Sequence, residues 1–324
     1  MVSARHSAVA TADPCDAGTW LMITPSYRRD IEQFSLLTES FLRFAPEAMR
    51  HLVIVDRADL ELFASFVHER MDLVTAEDVL PGRVRKLPLP RSLWISTRFP
   101  PVRSWIAQQM MKIQAAADSG RPHVLFADSD VVFLRPFTVD RFTDGSRLAL
   151  SRVANHYEDL NRWRQSSARL LGLDGPTGFA PMNYVSNLIP WRREAVRAMI
   201  ERIESVGRRS WFQTVATTLR FSEYTAYGVF CEEVLGLEQA GHYGWDDPIL
   251  NLCLTEPMQE RADFDALLDR TLDEHIGAMF HSKNSFDRSD LRAAVEAFWV
   301  AQSDLGTGPA AAVADRAGQP DPAD

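Results

Sequence analysis

The first half of the chain alternates short apolar runs with segments whose apolar residues recur at helical spacing. The runs Trp20–Thr24, Leu52–Val55 and His123–Ala127 are predicted to be strands. Neighbouring parallel strands need this alternation, because the crossover that joins them is usually a helix covering one face of the sheet. The pattern therefore predicts a Rossmann-like α/β fold, with a mostly parallel sheet flanked by helices and a less regular second half.

Two helices of the first half have sequence signals at their ends. Asp30 is predicted to begin a helix that reaches about Phe44, with Gln33 as its capping-box partner. A second helix follows Pro101 and runs to about Asp118, with Gly120 as its C-terminal cap.

The remaining segments have weaker signals. The predicted helices are Leu60–Glu69, Trp191–Glu204, Ser210–Leu219, Pro248–Leu254 and Asp287–Ala301, and the predicted strands are Arg147–Val153, Tyr184–Ile189 and Ile276–Phe280. Irregular backbone is predicted around Pro81, Pro88 and Pro90, and a loop from Asn155 to Pro181.

The 324 residues are enough for one large domain with two halves. Residues 1–18 and 304–324 are small and polar, so both ends are predicted to be disordered. The ordered part then divides into a regular first half, residues 19–150, and a less regular second half, residues 151–303.

Composition and charge exclude several classes of protein. A net charge of -9 without a basic run argues against a nucleic-acid partner. No window approaches the roughly 18 apolar residues of a membrane span, and the N-terminus lacks the apolar stretch of a secretory signal. Three cysteines, an odd number without metal-type spacing, favour a reducing compartment. We therefore expect a soluble cytoplasmic protein, with its oligomeric state left open.

Two carboxylates stand directly after the apolar run His123–Ala127. Asp128, Ser129 and Asp130 follow that strand, and a chain turning out of the sheet at Ser129 would bring both carboxylates to one cation. Oxygen ligands favour Mg²⁺ or Mn²⁺, which in turn bind phosphate oxygens. The alternative is a solvated turn in which the aspartates bond their own backbone.

The ends of the first two predicted strands are polar as well. Thr24, Ser26 and Tyr27 offer hydroxyls and an aromatic ring, while Pro25 stiffens the turn and lacks an N–H donor. Asp56 offers a carboxylate for a base or a ribose hydroxyl. Because ligands of open parallel sheets bind at the carboxyl ends of the strands, these residues are expected to share a crevice with the acidic triplet. Taken singly, each is equally consistent with a polar turn or a helix cap.

Together these motifs resemble the nucleotide-sugar site of glycosyltransferases of the GT-A fold. The segment Ile23-Thr-Pro-Ser-Tyr-Arg28 is similar to the Pro-Thr-Tyr turn of the animal glucuronyltransferases. The chain also resembles a group of uncharacterised bacterial proteins of this fold, through Gln108-Gln109-Met-Met-Lys112 before the triplet and Ser222-Glu-Tyr-Thr-Ala-Tyr-Gly228 after it. The resemblance spans about Trp20 to Phe286.

The resemblance implies a GT-A-like fold and a nucleoside-diphosphate sugar donor, with a UDP-sugar as the expected donor. It implies Mn²⁺ or Mg²⁺ held by Asp128 and Asp130, with Asp128 also on the ribose side and His281 as a further ligand. His275 is the alternative histidine, and Lys283 would lie near the phosphates. Residues 19–150 would then bind the donor, and residues 151–303 would bind a small-molecule or glycan acceptor.

The helix before the triplet supplies further candidates for donor contacts. Lys112 shares a helix face with Gln109 and Gln108, off the apolar side formed by Ile106, Met110 and Ile113. This face either contacts donor phosphate and sugar or is a solvated polar stripe.

An inverting transferase needs a base for the acceptor hydroxyl, and a carboxylate is the usual choice. Glu223 is the preferred candidate, with the rings of Tyr224 and Tyr227 beside it as a sugar platform. Asp247, or its neighbour Asp246, is the second candidate, since Gly244-Trp-Asp-Asp-Pro248 resembles the segment that carries the base in several inverting GT-A enzymes. That segment is also typical of a helix start. Retention or inversion of configuration is left open.

Other functions compete for the same residues. A phosphohydrolase of the haloacid dehalogenase type would use Asp128 as nucleophile and Asp130 as acid, but its nucleophile strand usually opens the domain. A sugar-nucleotide pyrophosphorylase should have a glycine-rich loop after the first strand, and Thr24–Arg29 contains no glycine. A non-catalytic sugar-nucleotide-binding protein is the third alternative. A mobile lid is expected within Asn155–Pro181, because glycines interrupt a polar stretch there.

Overall fold

The computed structural model describes residues 12–87, 93–155, 158–173, 182–246, 249–253, 258–281 and 286–306. The helices are α1 (Ile31–Phe44), α2 (Leu60–Ala64), α3 (Ala76–Val79), α4 (Ser104–Asp118), α5 (Glu158–Leu170), α6 (Arg193–Gly207), α7 (Trp211–Ala216), α8 (Glu223–Val229), α9 (Arg261–Asp269) and α10 (Arg288–Gly306). The strands are β1 (Trp20–Pro25), β2 (Arg50–Val55), β3 (Met71–Thr75), β4 (Val84–Leu87), β5 (Leu93–Ser96), β6 (Val102–Arg103), β7 (His123–Ala127), β8 (Val131–Phe133), β9 (Thr143–Asp144), β10 (Arg147–Ser151), β11 (Val153–Ala154), β12 (Met182–Asn183), β13 (Leu188–Arg192), β14 (His242–Trp245), β15 (Leu250–Cys253) and β16 (Gly277–Phe280).

The central sheet has five strands in the order β13-β7-β1-β2-β3. The four strands from β7 to β3 are mutually parallel, and β13 pairs antiparallel with β7 at one edge. Every residue of β1 and β7 is buried, as expected for strands whose two faces are both covered. The predicted α/β fold with a mostly parallel sheet flanked by helices is confirmed.

Alternate residues of β1 pack on opposite faces of the sheet. Trp20 and Met22 join the cluster that contains Phe34, Leu37 and Phe41 of α1. Leu21 and Ile23 join the cluster that contains the apolar residues of α4 and α6. The sheet is therefore the middle layer between α1 on one side and the α4–α6 pair on the other, and this sandwich fixes where each strand ends.

Four regions of the first half differ from the sequence prediction. The edge strand β3 was missed, because Met71–Thr75 is partly exposed and carries Asp72. The passage predicted to be irregular contains β4 and β5, which form an antiparallel sheet with β6. The predicted capping box is also wrong, because the Asp30 side chain makes no cap hydrogen bond at the start of α1, and the Gln33 amide instead donates to the Phe280 carbonyl at 2.6 Å. Helix α4 ends with Ser119, not Gly120, as its C-cap.

The second half differs more. The region predicted to be a loop between Asn155 and Pro181 contains α5, a strongly polar helix. The segment predicted to be a helix around Leu250 is strand β15, which pairs parallel with β16. Strand β13 begins at Leu188 and not at Tyr184, and helix α8 continues as a π-helix over Phe230–Leu235.

Among the described residues, no helix has the length and apolar character needed to cross a membrane. The chain was expected to be ordered from about Thr19 to about Ser303. Trp20 Nε1 already donates to the Pro14 carbonyl at 2.8 Å, and helix α10 continues to Gly306.

Candidate functional site

The direction of winding of the sheet changes between β1 and β7. The chain proceeds from β1 to β2 and β3 on one side, and the next parallel strand, β7, lies on the other side of β1. Ligands of open α/β sheets bind outside the carboxyl ends of the strands at such a switch point. The residues that leave the strands there are Ser26 after β1, Asp56 after β2 and Asp128 after β7.

A buried lysine lies directly beside Asp128. The ammonium group of Lys112, on α4, is 2.9 Å from Asp128 Oδ1, 2.7 Å from the Tyr224 hydroxyl and 3.3 Å from Glu223 Oε1. The Lys112 and Glu223 side chains are 5% and 6% exposed, whereas that of Asp128 is 29% exposed. We call Lys112, Asp128, Glu223 and Tyr224 the lysine cluster. It joins the first half of the chain to the second, and Asp128 is its solvent-facing member.

Glu223 is held by the start of its own helix and by α4. It is the first residue of α8, and the Ser222 side chain caps that helix by accepting from the Thr225 amide at 3.3 Å. The backbone N–H of Glu223 donates to Gln109 Oε1 at 3.0 Å. Gln109 is buried, and its amide nitrogen donates back to the Trp105 carbonyl at 3.3 Å. Because one helix turn separates Gln109 from Lys112, α4 positions both the backbone and the carboxylate of Glu223.

Burial and charge shift the pKa values in the lysine cluster. Burial alone would lower the pKa of Lys112, but Asp128, Tyr224 and Glu223 outweigh it and hold that pKa well above its usual value. Burial raises the pKa of Glu223, and the Lys112 charge offsets only part of the rise. Burial, followed by the Asp128 charge, raises the pKa of Tyr224. Lys112 is therefore a fixed cation, and the Glu223 carboxylate accepts a proton at a higher pH than an ordinary glutamate does.

The residues after Asp128 contact different neighbours. The hydroxyl of Ser129 donates to the carboxylate of Asp30 at 3.2 Å, and burial raises the pKa of Asp30. The backbone carbonyl of Asp130 accepts from the Phe280 amide at 3.0 Å, which places His281 next along the chain. The Asp130 side chain lines a small cavity on that side.

The described residues could hold a divalent cation only if a substrate supplied some of its ligands. They contain no group of three or more His, Cys, Asp or Glu arranged to hold a metal ion, so His281 does not complete a ligand set with Asp128 and Asp130. Mg²⁺, however, is commonly bound by one or two carboxylates plus substrate phosphates. Asp128 and Asp130 are oxygen donors of that kind, and phosphates of a donor would have to supply the remaining ligands.

The residues after β1 are placed differently from the prediction. Thr24 is fully buried, and its hydroxyl is 2.9 Å from His51 Nε2, so it does not offer that hydroxyl to the crevice. Pro25 ends β1 and is buried. Ser26 is 8% exposed, and its hydroxyl oxygen has no hydrogen-bond partner within the part of the chain that the structure describes. Tyr27 is 42% exposed, which leaves its ring accessible for stacking.

Asp56 forms an ion pair with Lys86 of β4. The Lys86 ammonium also lies 5.5 Å from the centre of the Trp94 ring. The small antiparallel sheet thus brings a cation to the end of β2. Sequence reasoning missed Lys86 because the β4–β5 hairpin was not predicted.

The remaining predicted site residues lie elsewhere or outside the described residues. Asp246 is exposed after β14, and no hydrogen bond or ion pair joins it to the lysine cluster in the described parts of the chain. Asp247 and Lys283 lie outside the described residues. Tyr227 is fully buried and Tyr224 is 5% exposed, so the predicted sugar platform is wrong: both rings pack around Trp191 in the core. His275 is buried, and its ring nitrogen accepts from the Leu272 amide.

Three comparisons with known proteins were made. The sequence matches no curated protein. A solved structure of galactosyltransferase LgtC in complex with donor and acceptor sugar analogs aligns with a TM-score of 0.43 and 13% identity, over 90% of this chain and 98% of that one. A family model described as a family of unknown function (DUF6492) matches residues 21–256.

Proposed function

The chain belongs to DUF6492, a family of unknown function, and we propose that it is a GT-A-type glycosyltransferase that uses a nucleoside-diphosphate sugar. UDP is the proposed nucleotide, and the acceptor is a small molecule or glycan with a nucleophilic hydroxyl. Residues 19–150 would bind the donor, and residues 151–303 would bind the acceptor. Support comes from the motifs described above and from the site to which they belong.

The observation that carries the proposal is the lysine cluster at the switch point. A fixed cation, a partly exposed carboxylate and a buried carboxyl with a raised pKa meet at the carboxyl end of β7. Two carboxyl groups in different environments are typical of sites that perform acid–base chemistry beside a charged substrate. The acidic triplet, the Gln-Gln-x-x-Lys helix and the Ser-Glu-Tyr segment, noted separately in the sequence, supply these groups.

Three residues of the lysine cluster, Lys112, Asp128 and Glu223, have a proposed part in the reaction, together with Asp130, Tyr27 and Asp56 outside it. Lys112 holds Asp128 Oδ1, so the other carboxylate oxygen of Asp128 is available to the donor. Asp128 and Asp130 would hold a divalent cation, which supplies Lewis-acid stabilisation of the departing diphosphate when it is bound. Glu223 would accept the proton of the acceptor hydroxyl, reached through the small exposed fraction of its side chain. Tyr27 would stack on the base, and Asp56 would bind the ribose.

Nucleotide binding tests the donor site. Calorimetry with UDP, GDP, dTDP and CDP, with and without Mn²⁺, should show metal-dependent binding of one nucleotide, and we expect UDP. Asp130→Ala should abolish that binding, because it removes one of two carboxylate ligands. Asp269→Ala, at the exposed end of α9, is the matched control and should bind normally. Equal affinity without metal would contradict the proposed cation site.

Turnover tests the role of Glu223. Glu223→Gln keeps the size and hydrogen-bonding shape of the side chain but cannot accept a proton, so it should bind donor nearly as well as wild type and fail to transfer sugar. Retained transfer would move the base to Asp247 or Asp246. Loss of donor binding together with transfer would show that Glu223 serves only to position Lys112.

The phosphohydrolase alternative predicts a different product. Because Lys112 contacts Asp128, the same pair would suit an aspartate that attacks phosphorus. Release of phosphate from p-nitrophenyl phosphate, lost in Asp128→Asn, would therefore overturn the glycosyltransferase proposal. Hydrolysis of a UDP-sugar to sugar and UDP, without free phosphate, would support it.

A further inference from the structure

A second cavity lies among the helices of the second half. It has a volume of about 430 Å³ and is formed by α5, α6, α7 and the segment that leads into α8. A cavity of this size is within the range of small-molecule sites, about 300–1,000 Å³. We call it the arginine cavity. The lining residues used below are Arg169, Leu170, Val206, Thr214, Leu219 and Arg220.

The charge of this cavity is opposite to that of the protein. The chain carries a net charge of -9, yet the described lining residues include two arginines and no carboxylate. Arg169 bonds only the Gln165 carbonyl of its own helix, and neither it nor Arg220 forms an ion pair within the described parts of the chain. Arg209 donates to the hydroxyl of the lining residue Thr214 at 3.2 Å and adds a third positive charge nearby.

Apolar surface completes the lining. Leu219 is 87% exposed and Val206 is 37% exposed, although both are large hydrophobic residues. Leu170 is buried in the wall between them and the core. Two guanidinium groups that form no ion pair with any described residue lie next to exposed aliphatic side chains, and this combination suits a ligand that has an anionic group and an apolar part.

The arginine cavity opens at the same edge of the sheet as the lysine cluster. Helix α6 begins where α4 ends, since the Arg193 amide donates to the Pro122 carbonyl and Arg197 Nε donates to the Ala117 carbonyl. It therefore runs antiparallel to α4, and its last turn, which carries Val206, lies near the edge where α4 begins. Arg220 lies three residues before Glu223, so their Cα atoms are at most about 11 Å apart.

We propose that the arginine cavity binds an organic anion with an apolar portion, with Arg169 and Arg220 bonding the anionic group and Leu219 and Val206 covering the apolar part. The site is separate from the donor crevice, and its existence does not depend on the proposed glycosyl transfer. The geometry requires no movement of the described helices, because the cavity is already open to solvent.

Two fluorescent probes test this proposal on the full chain. Anilinonaphthalene sulfonate carries an apolar ring system and one anionic group, and phenylnaphthylamine has nearly the same rings without the charge. Arg169→Gln combined with Arg220→Gln should weaken the sulfonate about tenfold or more, because two charge-assisted hydrogen bonds are lost, and should leave the neutral probe unchanged. Arg85→Gln, an exposed arginine on β4, is the matched control and should change neither probe.

A third variant tests the apolar part. Leu219→Ser should weaken both probes, and thermal unfolding should remain at the wild-type temperature because this side chain is exposed. Sulfonate affinity that is unchanged in the double arginine variant would overturn the proposal. An equal loss for the charged and neutral probes in that variant would also overturn it, since the arginines would then act only through the shape of the cavity.

Discussion

Replacement of Lys112 by methionine isolates the energetics of the lysine cluster. At an effective dielectric constant of about 20, each contact of the ammonium with Glu223 at 3.3 Å and with Asp128 at 2.9 Å is worth about 5 kcal/mol of gross attraction, which desolvation largely offsets. Removing one partner of a buried pair leaves the other uncompensated and costs about 3–5 kcal/mol. We expect Lys112→Met to destabilise the fold by that amount near pH 8.

The cost should depend on pH in a specific direction. Without Lys112, the pKa of Glu223 rises further above the usual 4.5, so the buried carboxyl is protonated in the folded state. A group whose pKa is higher in the folded state than in the unfolded state stabilises the fold at pH values below its unfolded pKa. This stabilisation is lost as the pH rises. Keeping this carboxyl protonated costs about 5 kcal/mol at pH 8 but about 1 kcal/mol at pH 5. The variant should therefore approach wild-type stability at pH 5.

Urea unfolding of three variants at pH 5 and pH 8 measures this effect. Lys112→Met combined with Glu223→Gln should be more stable at pH 8 than Lys112→Met alone, because no buried carboxyl remains to be protonated. Asp128→Asn should cost less than Lys112→Met, since water reaches the partly exposed Asp128. An equal loss for Lys112→Met at both pH values, or no recovery in the double variant, would refute this account of the lysine cluster.

Two further predictions concern the core. Burial lowers the pKa of both His51 and His242 to about 3, so the unfolded chain binds more protons than the folded one below pH 6.5. The free energy of unfolding should fall by about 2 kcal/mol per histidine at pH 5, and His51→Gln should reduce that slope in urea titrations. At Gly228 an added Cβ would lie 2.2 Å from the Tyr184 ring, so Gly228→Ala should cost about 1–3 kcal/mol by thermal unfolding. Gly120→Ala meets open space and is the control; an equal loss there would contradict the steric argument.

The sequence predicted elements well where one local signal dominates. Strand β7 was predicted with its observed bounds, because Val124–Ala127 is uniformly apolar, and α4 was found through the prolines before it. Helix α5 was missed because Glu158–Leu170 is strongly polar, with an apolar stripe too narrow to stand out from a loop. A short apolar run such as Leu250–Cys253 fits either a strand or a buried helix, and its pairing with β16 decides the matter.

The residues of the candidate site could be predicted from the sequence, but the contacts between them could not. Lys112, Asp128 and Glu223 each stood out in the sequence, yet their contact depends on how α8 packs against α4. The partners of Thr24 and Asp56 were unpredictable for the same reason: His51 and Lys86 reach them from a neighbouring strand and a separate sheet. Exposure of Tyr224 and Tyr227 was predicted wrongly, because aromatic residues near a polar motif can equally be core.

The bond between Gln109 and the Glu223 amide has a consequence for any attempt to divide this protein. Lys112 and Asp128 precede residue 150, whereas Glu223 and Tyr224 follow it. A cut at residue 150 would therefore leave each fragment with ionisable groups whose partners lie in the other fragment. Neither piece should be stable by itself. Coexpressed fragments should instead reassemble, and recovery of nucleotide binding would show that the interface between them has formed.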